Sequence, residues 1–166
     1  MTFRAFRVIY IHNKRAAPKT RRKTKMEKHY STLKELNAAF DTATTEEQKD
    51  AIRVSYKKFE KEVEAKGRAF SRVFWLYEAS HEKENSLIDL NGDGLWSKDA
   101  ALLIKDFRDC KIKEFTYSSS WSSANEIAWE FIKNGCTLKG MTMINTSKKI
   151  FDEGYDQKPA YVFSID

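Results

Sequence analysis

Apolar positions between Ile52 and Tyr77 recur every three or four residues: Ile52, Tyr56, Phe59 and Val63, then Phe70, Val73, Phe74 and Tyr77. That spacing is one face of an α-helix, and Lys57, Lys58, Lys61 and Glu62 fall off the stripe, as a solvated opposite face requires. Gly67 interrupts it, so the stretch is either one long helix or two joined near Lys66 and Gly67. Upstream, Leu33, Leu36 and Phe40 carry the same periodicity. Thr32 with Glu35, and Thr44 with Glu47, each match the capping box, in which a Thr side chain and a Glu three residues on satisfy helix-start N–H groups reciprocally.

The helical pattern stops near Ser80, and a polar segment runs to Gly94. Ser97 is placed to cap a helix with Ala100, Leu103, Ile104 and Phe107 on one face. Ile112–Tyr117 is rich in β-formers and reads as a strand. The serines from 118 to 123 lead into a helix bearing Ile127, Ala128, Phe131 and Ile132, which Gly135 ends. Thr137–Asn145 reads as a second strand, Lys148–Lys158 as a loop, and Ala160–Ile165, opened by Pro159, as a third strand. The C-terminal half is then an α-β-α-β-β unit covered by N-terminal helices, an α/β (α+β) fold. Two strands joined by a helix favour a right-handed parallel crossover.

The 166 residues suit one domain, with 41% apolar residues to build a core and 33% charged residues to solvate it. The 22 aromatic residues argue against a disordered chain. The apolar stretch Phe3–Ile11 is broken by Arg4 and Arg7 and lacks a small-residue cleavage site, so it makes a poor signal peptide. No apolar run approaches the ~18 residues of a membrane span. With Cys110 and Cys136 read as free thiols in a reducing compartment, the expected location is the cytoplasm, with no membrane association.

Charge divides the chain. Residues 1–25 hold nine Lys or Arg and no acid; taking these from the 30 basic residues leaves 21 against 24 acids, a net of −3 for the remainder. The run Lys19–Lys25 repels itself and reads as a solvated, disordered tail. The organisation expected is therefore a basic tail, 1–25, ahead of a single domain, 26–166, with a helical part over 30–80 and a sheet-containing part over 97–166. Met26 directly follows the tail and is a candidate natural start.

Candidate chemistry falls in two places. Asp89, Asn91 and Asp93, with Gly94 sixth, stand at the alternate positions of an EF-hand or dockerin-like calcium loop. The twelfth position, where a bidentate carboxylate belongs, is Ala100; Asp99 comes one place early, and Trp96 occupies the small aliphatic position. The same residues also suit an Asn-Gly, Asp-Gly turn. No cofactor is expected beyond weak calcium at Asp89, Asn91, Asp93 and Asp99. The second place is Ser118, Ser119, Ser120, Trp121, Ser122 and Ser123, between a strand and a helix. There N–H groups can hold an anion or partner, or Ser123 and Glu126 can simply cap the helix. It lacks the glycines of a phosphate loop and the G-x-S-x-G elbow of a hydrolase.

His12, His29 and His81 show no metal spacing and read as surface residues. Phe70, Phe74, Trp75 and Tyr77 read as helix core. Trp75, Trp96, Trp121 and Trp129 are many tryptophans for this length, and one could serve an interface.

The string FTYSSSWSSANEIAWEFIKNGCTLKGMTMIN from Phe115, closing with KPAYVFSI, resembles a family of short accessory proteins from conjugative and other mobile elements of Gram-positive bacteria. The features carrying the resemblance are Phe115, Trp121, Ala128, Trp129, Phe131 and Asn134–Met141. No catalytic residue comes with it; the setting implies transfer, regulation or evasion of host defence.

Three functions follow as expectations. The first is a non-catalytic protein-interaction module, in its narrower form an anti-CRISPR-like inhibitor of a host defence nuclease whose basic channel an acidic body would fill. The second is a nucleic-acid binder acting through Arg15, Lys19, Arg21, Arg22, Lys23 and Lys25, with steep salt dependence. The third is a small enzyme using the serine turn.

Overall fold

The computed structural model describes residues 24–91, 95–120, 122, 124–150 and 152–166. Three helices come first: α1 (Lys25–Thr42), α2 (Glu46–Glu64) and α3 (Arg68–His81). The boxes that start α1 and α2 are not the expected ones. Thr24 caps α1 with Glu27 reaching back, while Thr32 lies mid-helix and donates to the Lys28 carbonyl, as interior threonines do. For α2 the pair is Thr45 and Gln48, one residue later than expected. Gly67 separates α2 from α3 with φ at +99° and ψ at 161°, a conformation reserved for glycine.

The helices α1 and α2 run antiparallel. His29 faces Phe59, Tyr56 donates to Asn37, and Arg53 lies over Phe40, so the paired positions descend along α2 as they climb along α1. Their buried stripe, Met26, Leu33, Phe59 and Val63, packs with Val73 and Phe74 of α3. Histidines 29 and 81 belong to this aromatic cluster rather than to the open surface. His29 packs on Phe70 and Phe74, and His81 stacks on Tyr77.

The rest of the chain builds a mixed four-stranded sheet: β1 (Ile88–Asn91), β2 (Glu114–Ser118), β3 (Cys136–Lys148) and β4 (Tyr155–Ile165), ordered β1-β2-β4-β3. A short 3-10 turn, Ser97–Asp99, precedes α4 (Ala100–Asp109), and Ser97 makes no side-chain cap. Helix α4 joins the parallel pair β1 and β2, and α5 (Ala124–Lys133) joins β2 to β3. Strands β2 and β3 do run parallel, but β4 lies between them, antiparallel to both. The tight return from β3 makes a hairpin, shrinking the expected loop to residues 149–154. Strand β1 was not expected: it lies within the polar segment, where only Ile88 and Leu90 show the alternation.

All four residues from Phe115 to Ser118 are buried, which fits a central strand covered on both faces. On one face Phe115 and Phe163 stack at 5.5 Å, and Phe131 of α5 meets both edge-on, with Phe107 of α4 beside Phe115. The α4 stripe Ala100, Leu103, Ile104 and Phe107 is buried as the sequence implied. On the other face Asp89, Thr116 and Val162 are neighbours across three strands. Cys136 is buried and Cys110 half-buried, both as free thiols. Among the described residues no helix is long and apolar enough to cross a membrane.

Candidate functional site

The parallel register of β1 and β2 sets Asp89 beside Thr116 and Asn91 beside Ser118. The Asp89 carboxylate takes one hydroxyl on each oxygen: Thr116 Oγ1 donates to Oδ1 and Ser118 Oγ to Oδ2, each at 3.0 Å. The Asp89 N–H donates to Ser80 Oγ at 2.8 Å, and that hydroxyl donates to the Leu76 carbonyl. Lys158 Nζ lies 3.4 Å from Asn91 Oδ1. Burial pushes the Asp89 carboxyl above its ordinary range, while the two hydroxyls, Lys158 and Lys83 pull it back. A cavity of about 330 Å³ opens beside the cluster, reached by Arg72, Lys83, Asn85 and Leu103.

The chemistry of this cluster is cohesion. The Thr116 and Ser118 hydroxyl protons are committed to the carboxylate, which ties β1 to β2, and the Asp89 N–H ties β1 through Ser80 to α3. Hydrolysis by a triad needs an imidazole bridging acid and nucleophile. Both described histidines instead set Nδ1 against a carbonyl of their own helix.

The sequence-predicted residues are dispersed by the fold. Asp89 and Asn91 sit in β1 rather than in a loop, Asp99 ends the 3-10 turn, and Asp93 lies outside the described residues. Among the described residues no group of three or more His, Cys, Asp or Glu is arranged to hold a metal. Of the serines, Ser118 ends β2, buried against Asp89; Ser119 is half-buried, and Ser120 and Ser122 are exposed. Trp121 and Ser123 lie outside the described residues, as do Arg15, Lys19, Arg21, Arg22 and Lys23; Lys25 is the exposed first residue of α1.

A second feature was not anticipated. Strand β3 is one of the two edge strands of the sheet, and Leu138, Met141 and Met143 stand on its helix-covered face yet are 45%, 62% and 55% exposed. Their partners in β4 are Phe163, Tyr161 and Pro159. The strip is bare because α5 has only 10 residues, and its Phe131 seats on Phe115, Tyr117 and Phe163 of the two inner strands. On α5 itself, Trp129 is 58% exposed. Alternation of Leu and Met marked the strand in the sequence, but an alternating apolar face reads as core until the length of the covering helix is known.

At its far end β3 is tied back. Asn85, in the connection from α3 to β1, bonds both backbone groups of Asn145, and Asn145 Nδ2 donates to the Lys83 carbonyl. Tyr155 OH donates to the Glu82 carbonyl.

A family model described as a domain of unknown function (DUF7698) matches residues 72–165. The matched stretch begins within α3 and takes in the sheet, α4, α5, the Asp89 cluster and the exposed strip. No curated protein and no solved structure matches the chain.

Proposed function

We propose that this chain, which belongs to the DUF7698 family, is a non-catalytic protein-interaction module that binds its partner along the outer strand β3. The observation that carries this reading is the bare strip Leu138, Met141 and Met143. Three adjacent apolar side chains on one strand face are the kind of patch that interfaces cover. The Asp89 cluster supports the same reading from the other side, since its polar groups bond to one another. A role on a mobile element, as an inhibitor of a host defence nuclease, is the narrower form. It rests on the resemblance of the Phe115–Met141 segment.

The test compares tagged full-length wild type with a Leu138→Ser, Met141→Ser, Met143→Ser triple variant as baits in the native host. A specific protein retained by wild type, lost with the variant at unchanged melting temperature, and rebinding as a purified pair is the expected outcome. Identical retention by both baits would remove the surface from consideration.

A further inference from the structure

We infer that β3 takes its partner as a fifth strand: an extended, acidic segment adds to the edge that the described residues leave open between Cys136 and Met143, and Asn85 sets where pairing stops. This rests on the interaction reading above and narrows it from a surface to a mode of binding.

The edge groups can be assigned from the ladder. In an antiparallel pair, residues alternate between those whose N–H and C=O face the partner strand and those whose groups face away. The Asn145 N–H goes to Asn85 rather than to Gln157, its partner in β4, so Asn145 faces outward. Two and four residues back, Met143 and Met141 face outward as well. At the other end the Ile165 N–H goes to the Lys113 carbonyl, away from β3, so Cys136 opposite it is outward, and so is Leu138 two residues on. The register shift between Leu138 and Gly140 keeps the two halves in phase. The residues that carry the bare side chains therefore also carry the edge N–H and C=O groups.

Asn85 shows what this edge accepts. Its primary amide donates to the Asn145 carbonyl and accepts from the Asn145 N–H, as one residue of an added strand would. At Asn145 the edge is occupied; before it, the eight residues Cys136–Met143 span about 27 Å at strand rise.

Charge and size select the occupant. From Lys133 to Lys149 there are four lysines and no acid. Lys133 and Lys149 are paired with Glu130 and Asp152, which leaves Lys139 within the Cys136–Met143 edge and Lys148 past Asn145 as the charges of the strand itself. Asp156 of β4 and Asp166 just after it accept from the β3 hydroxyls of Ser147 and Thr137. A second copy would bring like charges together, and three side chains fall far below the roughly 800 Å² per partner of a stable interface. An extended acidic segment needs only the edge hydrogen bonds and shallow seats for alternate side chains.

The experiment uses the full chain and capped synthetic octapeptides that alternate valine with glutamate and threonine, followed by calorimetry and fluorescence anisotropy. The glutamate peptide should bind with an affinity that falls as salt rises, and its lysine counterpart should bind at least about tenfold more weakly. Methylating alternate backbone nitrogens of the glutamate peptide should abolish binding. Met143→Pro removes an outward N–H together with one strip side chain, so it is read against Met143→Ala: it should keep the fold by circular dichroism and bind at least about tenfold more weakly than the alanine variant. Equal binding of the methylated peptide, or of the two charge forms, would overturn the inference. So would concentration-dependent dimerisation that the serine triple variant abolishes. If the triple variant loses a captured native partner while Met143→Pro keeps it, the strand mode is wrong and the interaction surface stands. If neither substitution affects the partner, the surface itself is wrong.

Discussion

The side chain of Asn85 and the backbone of Asn145 form a closed pair across 60 residues of sequence, with Nδ2 donating at 2.9 Å and Oδ1 accepting at 2.8 Å. Asn85 is buried, so neither bond is readily replaced by water. Asn85→Ala should therefore cost about 1–3 kcal/mol, the range for a buried pair left unsatisfied. Asn85→Asp should be no better, because a carboxylate cannot donate to the Asn145 carbonyl. Urea unfolding of the three proteins checks this, and an Asp variant as stable as wild type would show that the donor bond contributes nothing.

Glu78 and Glu82 stand one helical turn apart at the end of α3 and its cap. Burial raises the Glu78 carboxyl to about 7, and a hydrogen bond and repulsion from Glu82 add to the effect. A carboxyl raised in the folded state stabilises below its unfolded value, and that contribution is lost as pH rises through the folded value. The melting temperature of wild type should fall relative to Glu78→Gln between about pH 4.5 and pH 7, and level off above it. Parallel melting curves for the two proteins would sink the assignment.

The Thr24 and Glu27 box gives α1 its start, with Met26 buried in the first turn. A chain beginning at Thr24 should be as stable as the full chain if residues before it make no contribution. One beginning at Met26 loses the cap and should unfold about 1 kcal/mol more easily. Thr24→Ala in the full chain should reproduce that difference; a loss confined to the truncated form would place the effect elsewhere.

Gly67 has nothing within 4 Å of where a Cβ would stand, so any cost of substitution there is conformational. Its φ of +99° with ψ of 161° lies outside the left-handed helical region that asparagine tolerates. Gly67→Ala and Gly67→Asn should both cost about 1–3 kcal/mol. Thermal denaturation that showed Asn clearly milder than Ala would mean the junction relaxes into that region.

Thr116→Val with Ser118→Ala strips the Asp89 carboxylate of both hydroxyl donors. Since burial already holds this carboxyl up, losing the donors should raise it further. The double variant should lose stability relative to wild type, and lose more at neutral than at acid pH, where Asp89 is protonated. A deficit that does not change with pH would show that the hydroxyls serve packing alone.

Local periodicity was enough for the elements whose burial repeats along the chain. The stripes of α2, α3, α4 and α5 read directly, because a helix that covers a core must place apolar residues every three or four positions. Strand β2 was legible for a related reason: it is buried on both faces and needs a continuous run of β-formers. Even the position of the break at Gly67 was visible, though only the backbone decided between one helix and two. What the sequence could not settle lies in pairings between distant segments. Strand β1 has four residues, with Asp89 in the middle and an Asn-Gly after it, so local chemistry favours a turn; it becomes a strand because β2 supplies a parallel partner and two hydroxyls for its carboxylate. Ser118 likewise belongs to Asp89 rather than to the helix that follows it. Whether β4 or β3 stands beside β2 depends on how the hairpin folds back, which no spacing encodes. The exposure of Leu138, Met141 and Met143 follows from that order: β3 lies outermost, beyond the seat of the 10-residue α5, and an alternating face that would be core in an inner strand is left bare.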